Sequence, residues 1–131
     1  MIQFSEATAI ALHVMIYIAN RKDKVNTLKD ISEHFSISPN HLSKVLQRLV
    51  KAGYLTSTKG PKGGFQIIEG KETSTLLDIY EVFEGKYVCK NCLFASQHIT
   101  SSCCIMKPLI STVNKTFEEF MTKNRICDLK L

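Results

Sequence analysis

The sequence predicts a mostly α-helical fold with a small β-hairpin wing, ending in a long helix. Three observations predict it. Apolar residues recur at helical spacing in five stretches. Two short runs rich in β-branched and aromatic residues flank the glycine-rich loop Lys59–Gly64. The chain has 131 residues, 44% of them hydrophobic, which is enough for one core and argues against a multi-domain enzyme or a disordered chain.

The first predicted helix covers Ser5 to Asn20, and its expected apolar face consists of Ala9, Leu12, Met15, Ile16 and Ala19. A second, short helix follows Thr27, a good N-cap residue with an acidic residue three positions later. It carries Leu28, Ile31 and Phe35.

The run from Ser36 to Pro39 breaks the chain, and a third helix is predicted from Pro39 to Ala52 because proline is favoured in the first helical turn. Gly53 can close it in the left-handed conformation. Two helices joined by so short a turn form a helix-turn-helix. The strands predicted next, Tyr54 to Thr58 and Phe65 to Ile68, form the wing.

The rest of the chain contains two helices and one long polar segment. Thr75 caps a helix that Gly85 stops, and residues 86–102 lack clear periodicity. The final helix has an apolar stripe of Met106, Leu109, Ile110, Val113, Phe117, Phe120 and Met121. Such a stripe is as suited to a second copy as to folding back. We expect a DNA-binding domain (1–85), a cysteine-containing sensor loop (86–104), and a dimerisation helix and tail (105–131).

Charge is distributed unevenly. The net charge is +5, with nine basic and five acidic side chains up to residue 70 and none acidic between Glu33 and Glu69. This balance suits a polyanionic partner. The longest apolar run, Ala7 to Ala19, is too short to span a membrane and follows no basic region. The chain is therefore predicted to be cytoplasmic, without a membrane partner and with reduced thiols.

Base edges are read by polar side chains at the start of a helix in the major groove, and phosphates attract Lys and Arg. Asparagine suits adenine and lysine suits guanine. A solvated helix face would have a similar composition, but the acid-free window, turn and wing together favour double-stranded DNA. The candidate contacts are Asn40, His41, Ser43, Lys44, Arg48, Lys59 and Lys62.

Three segments carry a family resemblance: ALHVMIYIA in the first helix, LSKVLQRLVKAGYLTSTKGPKGGFQI across the wing, and TLLDIYEVFEG after it. They resemble the Rrf2 family of winged-helix transcriptional regulators, of the IscR, NsrR and CymR type. The resemblance implies a homodimer, built by the first and last helices, on a partly palindromic operator. It places Asn40 and Ser43 at base-reading positions and Lys59 at the position of a wing arginine. Ser43 replaces a glutamate, and Lys59 cannot form the forked contact of arginine.

Four cysteines lie in or beside the sensor loop: Cys89, Cys92, Cys103 and Cys104. Thiolates are the usual ligands of iron-sulfur clusters. The resemblance implies a [2Fe–2S] or [4Fe–4S] cluster held by three loop cysteines, often with a ligand from elsewhere. A regular spacing selects Cys92, His98 and Cys104. Another set uses Cys89, Cys92 and Cys104, with or without Cys103, and the sequence does not choose between the two.

The sequence also does not identify the ligand from outside the loop. Relatives with an acidic ligand in the first helix have it at the position of Ala9, which cannot bind iron. His13, one turn further along, can substitute, although histidines on such faces are more often packed or hydrogen-bonded. Cys127 stands apart and is predicted to be structural.

The predicted function is therefore a non-enzymatic transcriptional regulator that senses iron-sulfur status, nitric oxide or redox state. A cofactor-free regulator that responds to thiol oxidation, persulfide or a bound metabolite is the main alternative. A zinc site is less favoured because adjacent Cys103 and Cys104 make a poor ligand pair. A thioredoxin-like enzyme is disfavoured because the Cys89–Cys92 pair follows a helix rather than a strand. A protein-interaction adaptor is the remaining class.

Overall fold

The computed structural model describes residues 2–90 and 104–131, and its first helix lies at the centre. This helix, α1, spans Glu6–Ala19, and its N-cap Ser5 accepts a hydrogen bond from the backbone N–H of Thr8 at 3.1 Å. This helix contacts the third and fourth helices, the second strand of the wing and the segment after the last helix. Because it is covered on several sides, α1 is apolar around most of its circumference.

The apolar face predicted for α1 is only part of the surface that this helix buries. The completely covered side chains are Thr8, Ala11, Val14, Met15 and Ile18. Ala9, Leu12 and Ala19 are only half-buried. A single helical stripe is a poor guide in a central helix because most of its positions are apolar.

The helix-turn-helix consists of α2, Leu28–Phe35, and α3, Pro39–Lys51. Thr27 accepts from the N–H of Asp30 at 3.1 Å, and Ser38 caps α3. Ser36 ends α2 with φ 54°, a left-handed conformation that the sequence did not predict at a serine. The predicted apolar face of α3 is confirmed: Leu42, Val45, Leu46 and Leu49 are all buried.

The wing is confirmed as an antiparallel hairpin of β1, Leu55–Thr58, and β2, Gly64–Ile67. Asn26, in the loop after α1, exchanges two backbone hydrogen bonds with Phe65, at 3.0 and 2.7 Å. The wing is therefore fastened to the loop between α1 and α2 as well as to the end of α3.

The fourth helix, α4, spans Leu76–Glu84 after a short 3-10 helix, Lys71–Thr73, and α5 spans Lys107–Lys123. Thr75 and Asp78 form a reciprocal capping box at the start of α4. A second 3-10 helix, Ile126–Asp128, follows α5, and the N–H of Ile126 donates to Ser74 at 2.9 Å. The end of α5 is thus joined to the start of α4.

Within residues 2–90 and 104–131, none of the helices has the length and hydropathy that a membrane span needs.

Candidate nucleic-acid interface and cysteine loop

The start of α3 presents the predicted base-reading residues on the side opposite its buried face. Asn40 and Lys44 are exposed, and His41 and Ser43 are half-buried. The Ser38 hydroxyl accepts from the N–H of His41 at 3.3 Å, which fixes the first turn. The face is polar and ordered, as a helix entering a groove requires.

Gln47 is a further candidate that the sequence prediction did not include among its site residues. Its amide donates to the Ser43 hydroxyl at 3.2 Å, one turn apart on α3. In this bond the Ser43 oxygen is the acceptor. The two side chains therefore lie together on the polar face of α3. The i, i+4 spacing was a signal for the pair in the sequence.

The wing carries the two predicted lysines at its tip. Lys59 and Lys62 are exposed in the turn between β1 and β2, where Gly60 has φ 107°. A Cβ at Gly63 would collide with the carbonyl of Thr58. The glycines thus let the turn close tightly, which brings both lysines to one end of the hairpin.

The basic side chains on this face lack carboxylate partners in the part of the chain that the structure describes. There, the only side-chain ion pair is Lys29–Glu33 in α2, at 3.9 Å. Lys44, Lys59 and Lys62 therefore keep their charge available for a polyanion.

Arg48, also predicted as a DNA contact, lies further along α3 and faces α4. Its guanidinium carbon is 4.8 Å from the ring centroid of Phe83, a cation–π arrangement. Next to it, Glu84 accepts hydrogen bonds from the Thr8 hydroxyl and, at 2.7 Å, from the N–H of Ser5. These bonds lower the pKa of Glu84 below its ordinary value, with a smaller contribution from Arg48. α1, α3 and α4 meet at this point.

The cysteine loop begins directly after α4. Cys89 is exposed and Cys104 is half-buried just before α5, so these two thiols mark the two sides of residues 91–103. Cys92, Cys103 and His98 lie outside the described residues. In the described part of the chain, no three His, Cys, Asp or Glu side chains are grouped as a metal site would need.

Cys89 has a tyrosine beside it. The Tyr87 hydroxyl donates to Asn114 Oδ1 at 3.4 Å, and its ring centroid lies 4.9 Å from that of Phe117. Burial raises the pKa of Tyr87 to about 12, with further contributions from Cys89, including a side-chain hydrogen bond, and from Glu118. The sequence prediction did not include Tyr87.

His13 is exposed on α1, and its Nδ1 is 2.7 Å from the carbonyl oxygen of Ala9. A carbonyl only accepts, so Nδ1 carries the proton and, in the neutral ring, Nε2 keeps its lone pair. Nε2 is thus chemically able to bind a metal. Cys127 is exposed near the C-terminus, and its thiol donates to Asp128 Oδ1 at 3.7 Å.

His13 also borders an apolar groove between α1 and α5, with a volume of about 680 Å³. The groove is lined by Leu12, Ile16, Phe117 and Phe120, among others. On α5, Leu109, Val113 and Phe120 are 55%, 44% and 57% exposed. Much of the apolar stripe predicted for the last helix is thus uncovered in the single chain.

Comparison with known proteins gives a consistent result. The Rrf2 family model, described as an iron-dependent transcriptional regulator, matches residues 4–130. A protein of Aquifex aeolicus named "Putative HTH-type transcriptional regulator" is 28% identical over 129 residues, which cover 96% of this chain and 90% of that protein. BadM of Rhodopseudomonas palustris, with the same description, is 35% identical over 82 residues, covering 63% of this chain and 53% of BadM.

Solved structures share the fold. CymR, the global cysteine regulator of B. subtilis, has a TM-score of 0.78 at 20% identity, covering 96% of this chain and 94% of CymR. IscR of T. potens has a TM-score of 0.74 at 22% identity, covering 97% of this chain and 85% of IscR. At these identities the likeness concerns the fold alone.

Proposed function

Because the chain belongs to the Rrf2 family of transcriptional regulators, we propose that it binds a specific operator in double-stranded DNA as a homodimer. We further propose that the cysteines after α4 control this binding through an iron-sulfur cluster. The division into a DNA-binding part (1–85), a sensor loop (86–104) and a dimerisation part (105–131) belongs to the same proposal.

The observation that carries DNA binding is the exposed polar start of α3 next to a basic hairpin whose lysines have no carboxylate partner within residues 2–90 and 104–131. Asn40, His41, Ser43 and Lys44 are assigned to base edges, and Lys59 and Lys62 to phosphates or the minor groove. Arg48 stays among the proposed DNA contacts, although its stacking on Phe83 limits its reach.

The homodimer rests on the groove between α1 and α5. Leu109, Val113 and Phe120 are exposed apolar side chains on one helix, and exposed apolar patches often mark protein–protein interfaces. A second copy that packs against this groove would cover them. A two-fold axis would then place two α3 helices for two half-sites, spaced roughly 34 to 36 Å apart.

The donor set fits an iron-sulfur cluster in its chemistry. Cys89 and Cys104 are thiols at the two ends of the segment that contains Cys92 and Cys103. The proposed ligands are drawn from these four cysteines, with His98 and His13 as candidates for any position that the cysteines leave open. A bound cluster supplies redox chemistry and reactivity towards nitric oxide. The chain's part in this proposal is to pass the difference between engaged and free ligands to residues 86–90, next to α4.

The control of DNA binding follows from where the loop is attached. α4 ends at Glu84, where Arg48 of α3 and the start of α1 also meet. A change of loop conformation at residues 86–90 therefore acts next to the recognition helix. A small change in the spacing of two α3 helices reduces the fit to both half-sites at once.

Oxygen-free purification tests the cofactor. We expect a coloured protein with visible absorption that contains iron and sulfide. Single Cys→Ser variants at positions 89, 92, 103 and 104 then define the ligands, because a residue whose loss leaves the absorption intact is not one. Colourless protein without iron and sulfide would reject the cluster.

A regulator that senses thiols without a cofactor is the second candidate, together with its variant that binds a metabolite. The exposed thiol of Cys89 and the half-buried thiol of Cys104 favour it, because thiols that reagents can reach are able to be oxidised. Under this reading, colourless reduced protein binds operator DNA, and a thiol oxidant such as diamide changes its affinity. Equal affinity before and after oxidation would leave only the metabolite variant.

A further inference from the structure

The structure places one buried amide of α5 between two groups that flank Cys89. Asn114 is 8% exposed, and both ends of its amide are used. Its Oδ1 accepts from the Tyr87 hydroxyl at 3.4 Å, and its Nδ2 donates to the carbonyl of Lys90 at 3.0 Å. A buried amide without partners would be costly, so α5 needs residues 87–90 in this position.

Other contacts hold the same short segment from different directions. The N–H of Tyr87 donates to Glu81 Oε1 in α4 at 2.9 Å, and its ring packs against Phe117. The segment is therefore bound to α4 at its start and to α5 on both sides of Cys89.

We propose that Asn114 is a positioning residue, which fixes the direction of the Cys89 side chain by binding both of its flanks. This inference deepens the proposed sensor function and rests on the cysteine loop being the sensor. With residues 87 and 90 both bound to one side chain, the backbone between them has little freedom. Cys89 is then presented beside the Tyr87 hydroxyl in one orientation.

The labelling rate of the Cys89 thiol can be measured separately because a lysine lies on each side of it. Trypsin cleavage after Lys86 and Lys90 releases the peptide 87–90, in which Cys89 is the only cysteine. The peptide 126–130 likewise contains only Cys127, far from Asn114 in sequence and outside this network. Brief labelling of the whole reduced protein with N-ethylmaleimide, followed by digestion and mass spectrometry, gives the two rates separately.

Two variants separate the two bonds. Asn114→Ala removes both, whereas Asn114→Asp keeps an oxygen acceptor for Tyr87 and removes the donor to Lys90. Thr122→Ala is the matched control, because the hydrogen bond that the structure gives the Thr122 hydroxyl is to the carbonyl of Glu118 in its own helix. All proteins are compared at one pH, with circular dichroism as a check of folding.

We expect the labelling rate of Cys89 to rise at least threefold in Asn114→Ala and by a smaller factor in Asn114→Asp. The rates in Thr122→Ala and the rate of Cys127 in every variant should match the wild type. Amide hydrogen exchange in residues 86–90 should accelerate in the same order. If Asn114→Ala unfolds, which circular dichroism would show, Asn114→Asp decides alone.

A smaller rise or a fall at Cys89, with unchanged exchange in residues 86–90, would overturn the positioning role. Neither DNA nor a cluster is present in this experiment. A positive result together with failure to bind any operator would reject the proposed function and leave the role of Asn114 intact. The reverse combination would reject only the role of Asn114.

Discussion

The DNA-facing half of the molecule and the half that holds the cysteine loop are built from contacts of different range. In α2, α3 and the wing turn, the bonds that set the shape join residues three apart, such as Thr27 with Asp30 and Gly60 with Gly63. Beside the loop they join residues 24 to 79 positions apart, as in Asn114 with Lys90 and Ser5 with Glu84. The caps and turns of the first half are specified locally, whereas the contacts beside the loop form only when distant parts of the chain have come together.

The largest effect is expected from a substitution in the hydrophobic core that both halves share. Leu46→Ala removes a side chain of α3 that is fully buried against the common core. We expect a loss of about 2–5 kcal/mol in the free energy of unfolding, because the transfer energy and a cavity add. Urea denaturation measures it.

Leu109→Ala on the exposed stripe of α5 is the comparison for Leu46→Ala. It should leave the stability of a single chain almost unchanged and weaken self-association, seen by sedimentation at decreasing concentration. Equal loss of stability in both variants would show that the α5 stripe is core rather than interface.

A second change is aimed at the long-range bridge that fastens the wing to the loop after α1. A Cβ at Gly64 would collide with the backbone carbonyl of Asn26 and approach Val25 Cγ1 to 2.8 Å. We expect Gly64→Ala to cost about 1–3 kcal/mol, because the wing must separate from the loop after α1. Urea denaturation and operator binding should both report the loss, and Ser57→Ala on the exposed face of β1 is the control. Wild-type stability would mean that the bridge between Asn26 and Phe65 is not needed.

A third change keeps the fold and removes charge. Lys59→Ala with Lys62→Ala should weaken DNA binding and reduce the slope of log affinity against log salt by about 0.9 for each phosphate that the wing no longer neutralises. Titration of labelled duplex at several salt concentrations measures the slope. Lys115→Ala, an exposed lysine of α5, should leave it unchanged. An unaltered slope in the double variant would remove the wing from the interface.

The smallest expected effect concerns acid stability at the junction of α1 and α4. Hydrogen bonds from Thr8 and Ser5 hold the pKa of Glu84 below its ordinary value of 4.5. The stabilisation is therefore present above that value and is lost as the pH falls through the lowered pKa of the folded state. We expect Glu84→Gln to flatten the decline in urea midpoint between neutral and acid pH. A wild-type profile would show that Glu84 does not contribute.

The same difference in range explains what the sequence could and could not predict. The predicted caps Thr27 and Thr75 and the closing Gly53 are local signals, and the structure confirms them. The base-reading and ligand assignments stay predictions, since they depend on DNA or on residues 91–103. Glu84 and Tyr87 were missed because their partners are distant in sequence.

The sequence contains a weak indication that Asn114 is buried. It follows Ile110 by four positions and precedes Phe117 by three and Met121 by seven, so it occupies a place in the inward stripe of α5. A polar residue in such a place needs a partner. The sequence could not say which one, because the partners belong to a segment without periodicity.

The attachment of α5 at its carboxyl end has a mechanical consequence. The N–H of Leu76 donates to the carbonyl of Asn124 at 3.0 Å, so that end of the helix is hinged to the start of α4. A rod of seventeen residues is about 25 Å long, and tilting it by about 5° around that hinge moves its other tip by about 2 Å. Cys104 is three residues from that tip, where the displacement is largest. A small shift of its sulfur would therefore move the exposed apolar side chains of α5, which face a second copy in the proposed homodimer.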